Sequence, residues 1–385
     1  MLQESIGRLS HEQAGGGGEM KGKIEEEKYD LQRIGALDDG EHIRAVDSHS
    51  LLSLISGFAE QLERAIGFEI PDISETNDTI RAVGIVGVCT TVVCALALSA
   101  LVDRSGKGCV YRFNRFTLPK WIGRDVLLVF ISFSGNTQEV LCCFEEAMSR
   151  RLPSLVVTSG GMLQKRAQEE GIPIVSIPKE SPPNRTVFPY LFVPVLRTAC
   201  RLGLLDINDR EITQAALSLE QKKKGLEPSV PAAKNRAKRI AIECEGLIPL
   251  IYTENQLLIP VIRRWQYDFN ENAKLLSHSA YIPEMSHNEI IGLQGEEGKL
   301  CGIPLFLTAR KGESDAVGRL DFTIEALRNA GFRPLEIGIE GATDLQTLLY
   351  GILLGDYTSV YLAILKGVDP HSVDLIDSIR IKDNR

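Results

Sequence analysis

From residue 82 onward the chain alternates short apolar runs with helical patterns, and this alternation restricts its fold more than any other feature. Strand-like Val83–Val88, Val126–Ser132, Ser154–Thr158 and Ile174–Ile177 are separated by helix-like Val92–Leu101, Thr137–Arg150 and Leu163–Glu170. A second series holds strand Leu247–Tyr252, a helix carrying Glu271, strand Ile303–Leu307, a helix around Ala316–Asn329, strand Leu335–Ile339 and a helix from about Asp344 to Lys366. Strands separated by helices pair in parallel and are covered on both faces. The expected class is α/β: two similar halves in tandem, residues 41–204 and 241–385, each a parallel sheet flanked by helices. Between them, 205–240 reads as a helical linker interrupted by Pro228 and Pro231. Leu51, Leu52, Ile55, Phe58, Leu62 and Ile66 predict one helix closed by Pro71. Residues 1–40 are polar, with Gly15–Gly18 and the charge-dense Lys21–Lys28, and predict a flexible tail or one weak helix packed on nothing.

At 385 residues the chain is long enough for two proper cores. A net charge of −8, with no basic stripe, argues against a nucleic-acid partner. Eight cysteines show no paired framework and no C-x-x-C spacing, which suits thiols in a reducing cytoplasm. Ala82–Val102 runs 21 residues without a charge, long enough to span a bilayer. Gly84, Gly87 and Thr90-Thr91 divide it into strand, turn and helix, so no membrane span is expected.

Ser132-Phe133-Ser134-Gly135-Asn136-Thr137 follows the strongest strand and opens a helix. A helix N-terminus offers unpaired N–H groups and a positive dipole end. Ser132, Ser134 and Thr137 on such a turn can cradle a phosphate without a lysine. The same pattern also serves as an ordinary helix cap.

Asn270–Gly292, reading NENAKLLSHSAYIPEMSHNEIIG, sets Glu271 and His287 in two polar islands sixteen residues apart. A carboxylate and an imidazole are the pair that moves protons near neutral pH. His287 also suits a hydrogen-bonded structural role, as His278 does. Arg185 lies in the Pro-rich Ser181–Tyr190, where it is either an exposed cation or a stabiliser of a developing oxyanion. Ser359 and Lys366 are seven residues apart, two turns along one helix face, and Lys366 also suits a C-terminal dipole partner. No zinc motif, Walker loop or G-x-G-x-x-G stands out, so neither metal nor cofactor is expected.

These motifs together resemble the bifunctional phosphoglucose/phosphomannose isomerases, a family with paired sugar-isomerase (SIS) domains. The resemblance implies a phosphorylated hexose substrate, with Glu271 as the base at C2 and His287 opening the ring. Arg185 and Lys366 would steady the enediolate charge, and the small Ser359 would leave room for both C2 epimers. Ser132, Ser134 and Thr137 match the family's phosphate loop. It also implies a homodimer in which His287 reaches the neighbouring subunit's site, with Pro283 breaking any helix that continues from Glu271. One departure stands out. The family's Gly-x-Gly-Gly-Ser turn is here Gly87-Val88-Cys89-Thr90-Thr91, with a hydroxyl kept at Thr91. Side chains at 89 and 90 would narrow the pocket and constrain φ where glycine is free. An isomerase of a single or different phosphosugar and a non-catalytic sugar-phosphate-binding SIS protein remain alternatives.

Overall fold

The computed structural model describes residues 32–72, 80–179, 184–293, 301–309, 319–376 and 378. One sheet contains Ala82–Val86 (β1), Cys109–Phe113 (β2), Val126–Ser132 (β3), Ser154–Thr158 (β4) and Ile174–Ser176 (β5), in the order β2-β1-β3-β4-β5. The other contains Ile248–Thr253 (β6), His278–Tyr281 (β7), Gly302–Thr308 (β8) and Leu335–Gly338 (β9), in the order β7-β6-β8-β9. Every strand pairing is parallel. The two parallel sheets flanked by helices are the α/β class expected. β1, β3 and β4 are buried along their whole length, which is why they read as unbroken apolar runs.

Before the first sheet stand helices 32–38 (α1), Gly40–Val46 (α2), Leu51–Ser56 (α3) and Phe58–Ile66 (α4). The expectation of a flexible tail as far as residue 40 does not hold for 32–40; residues 1–31 lie outside the described ones. Leu37 is fully buried, Arg33 pairs with Glu245, and the Asp38 carboxylate accepts from Ala232 N–H and from the buried Lys238 ammonium. Gly57 divides the single helix expected over 51–66 into α3 and α4.

Thr90–Ser105 (α5), Gln138–Ser149 (α6), Gly161–Glu169 (α7) and Phe188–Arg201 (α8) complete the first half. The charge-free stretch 82–102 is thus β1, a turn and the buried α5, as its glycines and threonines imply. The region expected as a linker carries Asp209–Lys223 (α9), opened by an Asn208/Glu211 capping box, and leads into Arg236–Cys244 (α10), capped by Asn235. The second half adds Ile259–Glu271 (α11), Glu284–His287 (α12), Glu289–Gly292 (α13), Arg319–Asn329 (α14) and Asp344–Leu365 (α15). The start expected for α14, at 316, lies outside the described residues.

α15 is long and apolar enough to cross a membrane, yet it is buried inside the protein. It lies against α9 and α10 as well as α11. Contact with α11 is close because Gly351 and Gly355 face Val261 and Trp265: a Cβ at Gly355 would come within 2.2 Å of the indole. Trp265 Nε1 donates to the Gly351 carbonyl at 2.8 Å, fixing the register of the two helices. That register brings Asp356 and Ser359 of α15 against Arg264 and Asn272 at the end of α11.

Candidate active site

β1 and β3 are parallel neighbours, with Val86 beside Phe130, so the turns that follow them leave the sheet at one edge. The carboxyl ends of parallel strands are where such sheets bind ligands. In the β3 turn, Ser132 Oγ and Thr137 Oγ1 are hydrogen-bonded at 2.8 Å, and Gly135 N–H donates to Ser132 Oγ at 3.0 Å. Ser134 is exposed, and its Oγ accepts from Asn136 N–H at 3.3 Å. The Thr137 side chain is turned towards Ser132, and α6 begins without a side-chain cap. This separates the turn from an ordinary Ser/Thr cap and directs the positive end of α6 at the turn. Gly135 is obligatory: its φ is +70°, and a Cβ there would meet the Gly160 carbonyl oxygen at 1.8 Å.

The β1 turn carries the departure. Cys89 is exposed at φ 53°, ψ −118°, the backbone conformation a glycine would take without cost. An L-residue held there costs on the order of 1–3 kcal/mol. Thr90 and Thr91 are both buried in the first turn of α5. The φ constraint expected of this turn therefore falls on Cys89, while Thr90 is helical. The Thr91 side chain leans into the space above Gly87, where its Cγ2 would lie 2.3 Å from an added Cβ.

A second cluster of polar side chains comes from three segments of the chain. Arg185 follows β5 in the 3-10 turn Asn184–Thr186 and is buried, so the exposed-cation alternative does not hold. Residues 180–183 of its Pro-rich segment lie outside the described ones. Its Nε donates to Asn272 Oδ1 at 2.6 Å, and its Nη2 donates to the carbonyls of Pro370 and His371 at 2.8 Å each. With those donors anchored, Nη1 faces Glu271 Oε2 at 3.8 Å. Glu271 is the last residue of α11, and its carboxylate is partly exposed.

Lys274 has an exposed stem, but its ammonium turns inward to the carbonyls of Glu271, Asn272 and Asp369 at 2.9, 3.4 and 2.6 Å. Burial, and then the neighbouring Arg185, push its pKa down to about 8. Lys366 caps α15, and its Nζ donates to the Lys274 carbonyl at 3.1 Å. It thereby ties the C-terminal end of α15 to the Glu271 segment. Ser359 is fully buried, accepting from Asn272 Nδ2 at 2.9 Å. Tyr267 lies one turn before Glu271, and burial raises its pKa.

His287 stands apart. It is exposed at the end of α12, and its Nε2 is 3.3 Å from Arg319 Nη1. Among the described residues no hydrogen bond or ion pair links it to Glu271, Arg185 or Lys366. The segment before it is also built differently from the expectation. α11 ends at Glu271 itself, Lys274 takes φ 49°, and β7 intervenes, so Pro283 opens α12 rather than ending α11. His278 pairs with Glu289 at 2.9 Å, the structural role expected of it.

Asn272, Lys274 and Arg264 are the site residues that the sequence did not single out. Asn272 and Lys274 lie within the polar island of Glu271, which was the available signal.

Residues 233–382 match the family model described as the bacterial phospho-glucose isomerase C-terminal SIS domain. The bifunctional phosphoglucose/phosphomannose isomerase of Aquifex aeolicus (strain VF5) is 32% identical over 85% of this chain and 96% of its own length. The chain belongs to the bifunctional phosphoglucose/phosphomannose isomerase family. A second member, from Caldicellulosiruptor bescii, is 29% identical over 69% of this chain and 79% of its own length. A solved hypothetical protein of Thermus thermophilus shares the fold, with TM-score 0.65 and 17% identity over 92% of this chain and 96% of its own. For a phosphoglucose/phosphomannose isomerase family member, the SIS halves place the β1 and β3 turns and the Glu271 cluster as described above.

Proposed function

We propose that the chain is an aldose–ketose isomerase interconverting glucose 6-phosphate and mannose 6-phosphate with fructose 6-phosphate. The observation that carries this reading is Glu271: a partly exposed carboxylate 3.8 Å from a buried, three-point-anchored guanidinium. Such a pair provides a base and, beside it, a fixed positive charge for the oxyanion its action creates.

In this reading the Ser132–Thr137 turn and the N-terminus of α6 hold the phosphate, with Thr91 beside it. Binding energy is thereby supplied away from the reacting carbons. His287 protonates the ring oxygen and opens the sugar. Glu271 removes the C2 proton; the C2–H electrons form the C1–C2 double bond of a cis-enediolate, and the C1 oxygen takes the charge. A proton passes from the C2 hydroxyl to the C1 oxygen, Glu271 returns its proton to C1, and the C2 carbonyl forms. Arg185 and Lys366 steady the charge, and the small side chain of Ser359 leaves room for either C2 epimer. The exposed, separate position of His287 supports a homodimer in which it serves the partner's site. The buried thiols of Cys94, Cys143 and Cys244 suit a reducing cytoplasm, where the reaction would serve glycolysis and gluconeogenesis.

A non-catalytic sugar-phosphate-binding protein is the second reading, favoured by Cys89 in the sugar turn. A coupled assay for fructose 6-phosphate formed from each aldose phosphate separates the two. Turnover with both substrates is expected. Binding of both without turnover would replace the proposal with the second reading.

A further inference from the structure

Arg264 of α11 and Arg185 meet across the join between the two halves, and five hydrogen bonds close them into a ring. Arg264 Nη2 donates to the Arg185 carbonyl, and Arg185 Nε donates to Asn272 Oδ1 at 2.6 Å. Asn272 Nδ2 donates to Ser359 Oγ at 2.9 Å, and Ser359 Oγ donates to the Asp356 carbonyl at 2.8 Å. Arg264 Nε closes the circuit on Asp356 Oδ1 at 2.9 Å. Every member of the ring is buried.

A second carboxyl lies beside it. Asp268 Oδ2 is 2.9 Å from Arg264 Nε, yet this oxygen has no hydrogen-bond partner, because the Nε–H points at Asp356. Burial pushes the Asp268 carboxyl well up.

Burying such a cluster costs several kcal/mol, and an apolar packing of similar volume is often as stable. Fixing a geometry is what the ring supplies. Its two ends are the main chain and the side chain of Arg185, the residue whose Nη1 faces Glu271.

We propose that Arg264 is a positioning residue for the isomerisation: it holds the Arg185 main chain, while Asp356, Ser359 and Asn272 tie both arginines to α15. This rests on the reading in which Arg185 stabilises the enediolate. A displacement of about 1 Å at such a group can cost roughly 100-fold in rate.

The test is a double-variant cycle on the full-length protein. Arg264→Lys keeps the charge but cannot donate from Nε and Nη2 in two directions. With glucose 6-phosphate its kcat is expected to fall roughly 10- to 100-fold, with KM changed less than about threefold. In an Arg185→Ala background the same substitution is expected to change kcat by less than about twofold, since no guanidinium is left to position. Multiplicative losses, with the double variant falling by the product of the singles, would overturn the proposal alone. If Arg185→Ala leaves kcat unchanged, the role of Arg185 itself fails and the proposal falls with it. Should Arg264→Lys not fold, Asp356→Asn takes its place in the same cycle, with the same non-additivity expected and the same additive result overturning it.

Discussion

Asn272 stands one residue beyond Glu271 and carries the Arg185 Nε on its Oδ1 at 2.6 Å. The carboxylate and the guanidinium are therefore tied to the same end of α11, although 86 residues of chain separate them.

Replacing Glu271 by Gln keeps the shape and removes the base. Turnover is expected to fall by roughly 100- to 10,000-fold, with fructose 6-phosphate binding changed little. Steady-state kinetics and calorimetric titration of the phosphosugar check the two halves of this statement. Parallel loss of binding and turnover would make Glu271 a structural residue.

Cys89 bears the cost of the altered turn, at φ 53°. Cys89→Gly is expected to raise stability by about 1 kcal/mol, read from urea unfolding. Thr90 is helical and buried, so adding Thr90→Gly costs about 0.5–1 kcal/mol and cancels much of that gain. Activity of the double variant is expected to equal or exceed wild type. A folded but inactive double variant would show that the site depends on the larger side chains.

Lys274 predicts opposite pH trends for activity and stability. Its ammonium supplies three N–H donors to three carbonyls, and a neutral amine has only two. With a folded pKa near 8, kcat is expected to fall as pH rises through about 8. The folded pKa lies below the lysine value of 10.5, so between about 8 and 10.5 the unfolded chain binds more protons. Stability contributed by this group therefore rises with pH across that window. Lys274→Arg is expected to remove both trends; an unchanged alkaline limb in its kcat profile would assign the limb to another group.

Trans action of His287 is tested by mixing. Glu271→Gln and His287→Ala chains, each nearly inactive, would be unfolded together and refolded in equal amounts. Half the dimers are mixed, and each of these has one intact site, so activity near about a quarter of wild type is expected for a two-fold dimer. Mixed dimers that remain at the level of the single variants would place His287 within its own subunit.

The sequence made the centre and one edge of each sheet legible and left the other edge, β2 or β7, unread. β3 and β4 have the bounds their apolar runs imply, because both faces of those strands are covered. β2 and β7 were missed: both are edge strands with largely exposed or half-buried residues, so neither shows a continuous apolar run. α8 was hidden by Pro189 and Pro194, yet Pro189 sits in its first turn, where no N–H is needed, and Pro194 is accommodated inside it. In the site, Arg185 and Glu271 were legible as charges in unusual surroundings. Asn272 was not, since an Asn after a helix reads as an ordinary cap until Arg185 and Ser359 are seen on either side of its amide.

α15 begins only at residue 344, yet it touches α2, α3 and α5 from the first half as well as α9, α10 and α11. A nascent chain must therefore carry the inner faces of six helices uncovered until this segment leaves the ribosome. Neither half can reach its final packing as a separate folding unit, despite the tandem sheets. Premature termination shortly before 344 would leave most of the chain made but with an open apolar trough, a substrate for chaperones and proteases rather than a partly working enzyme.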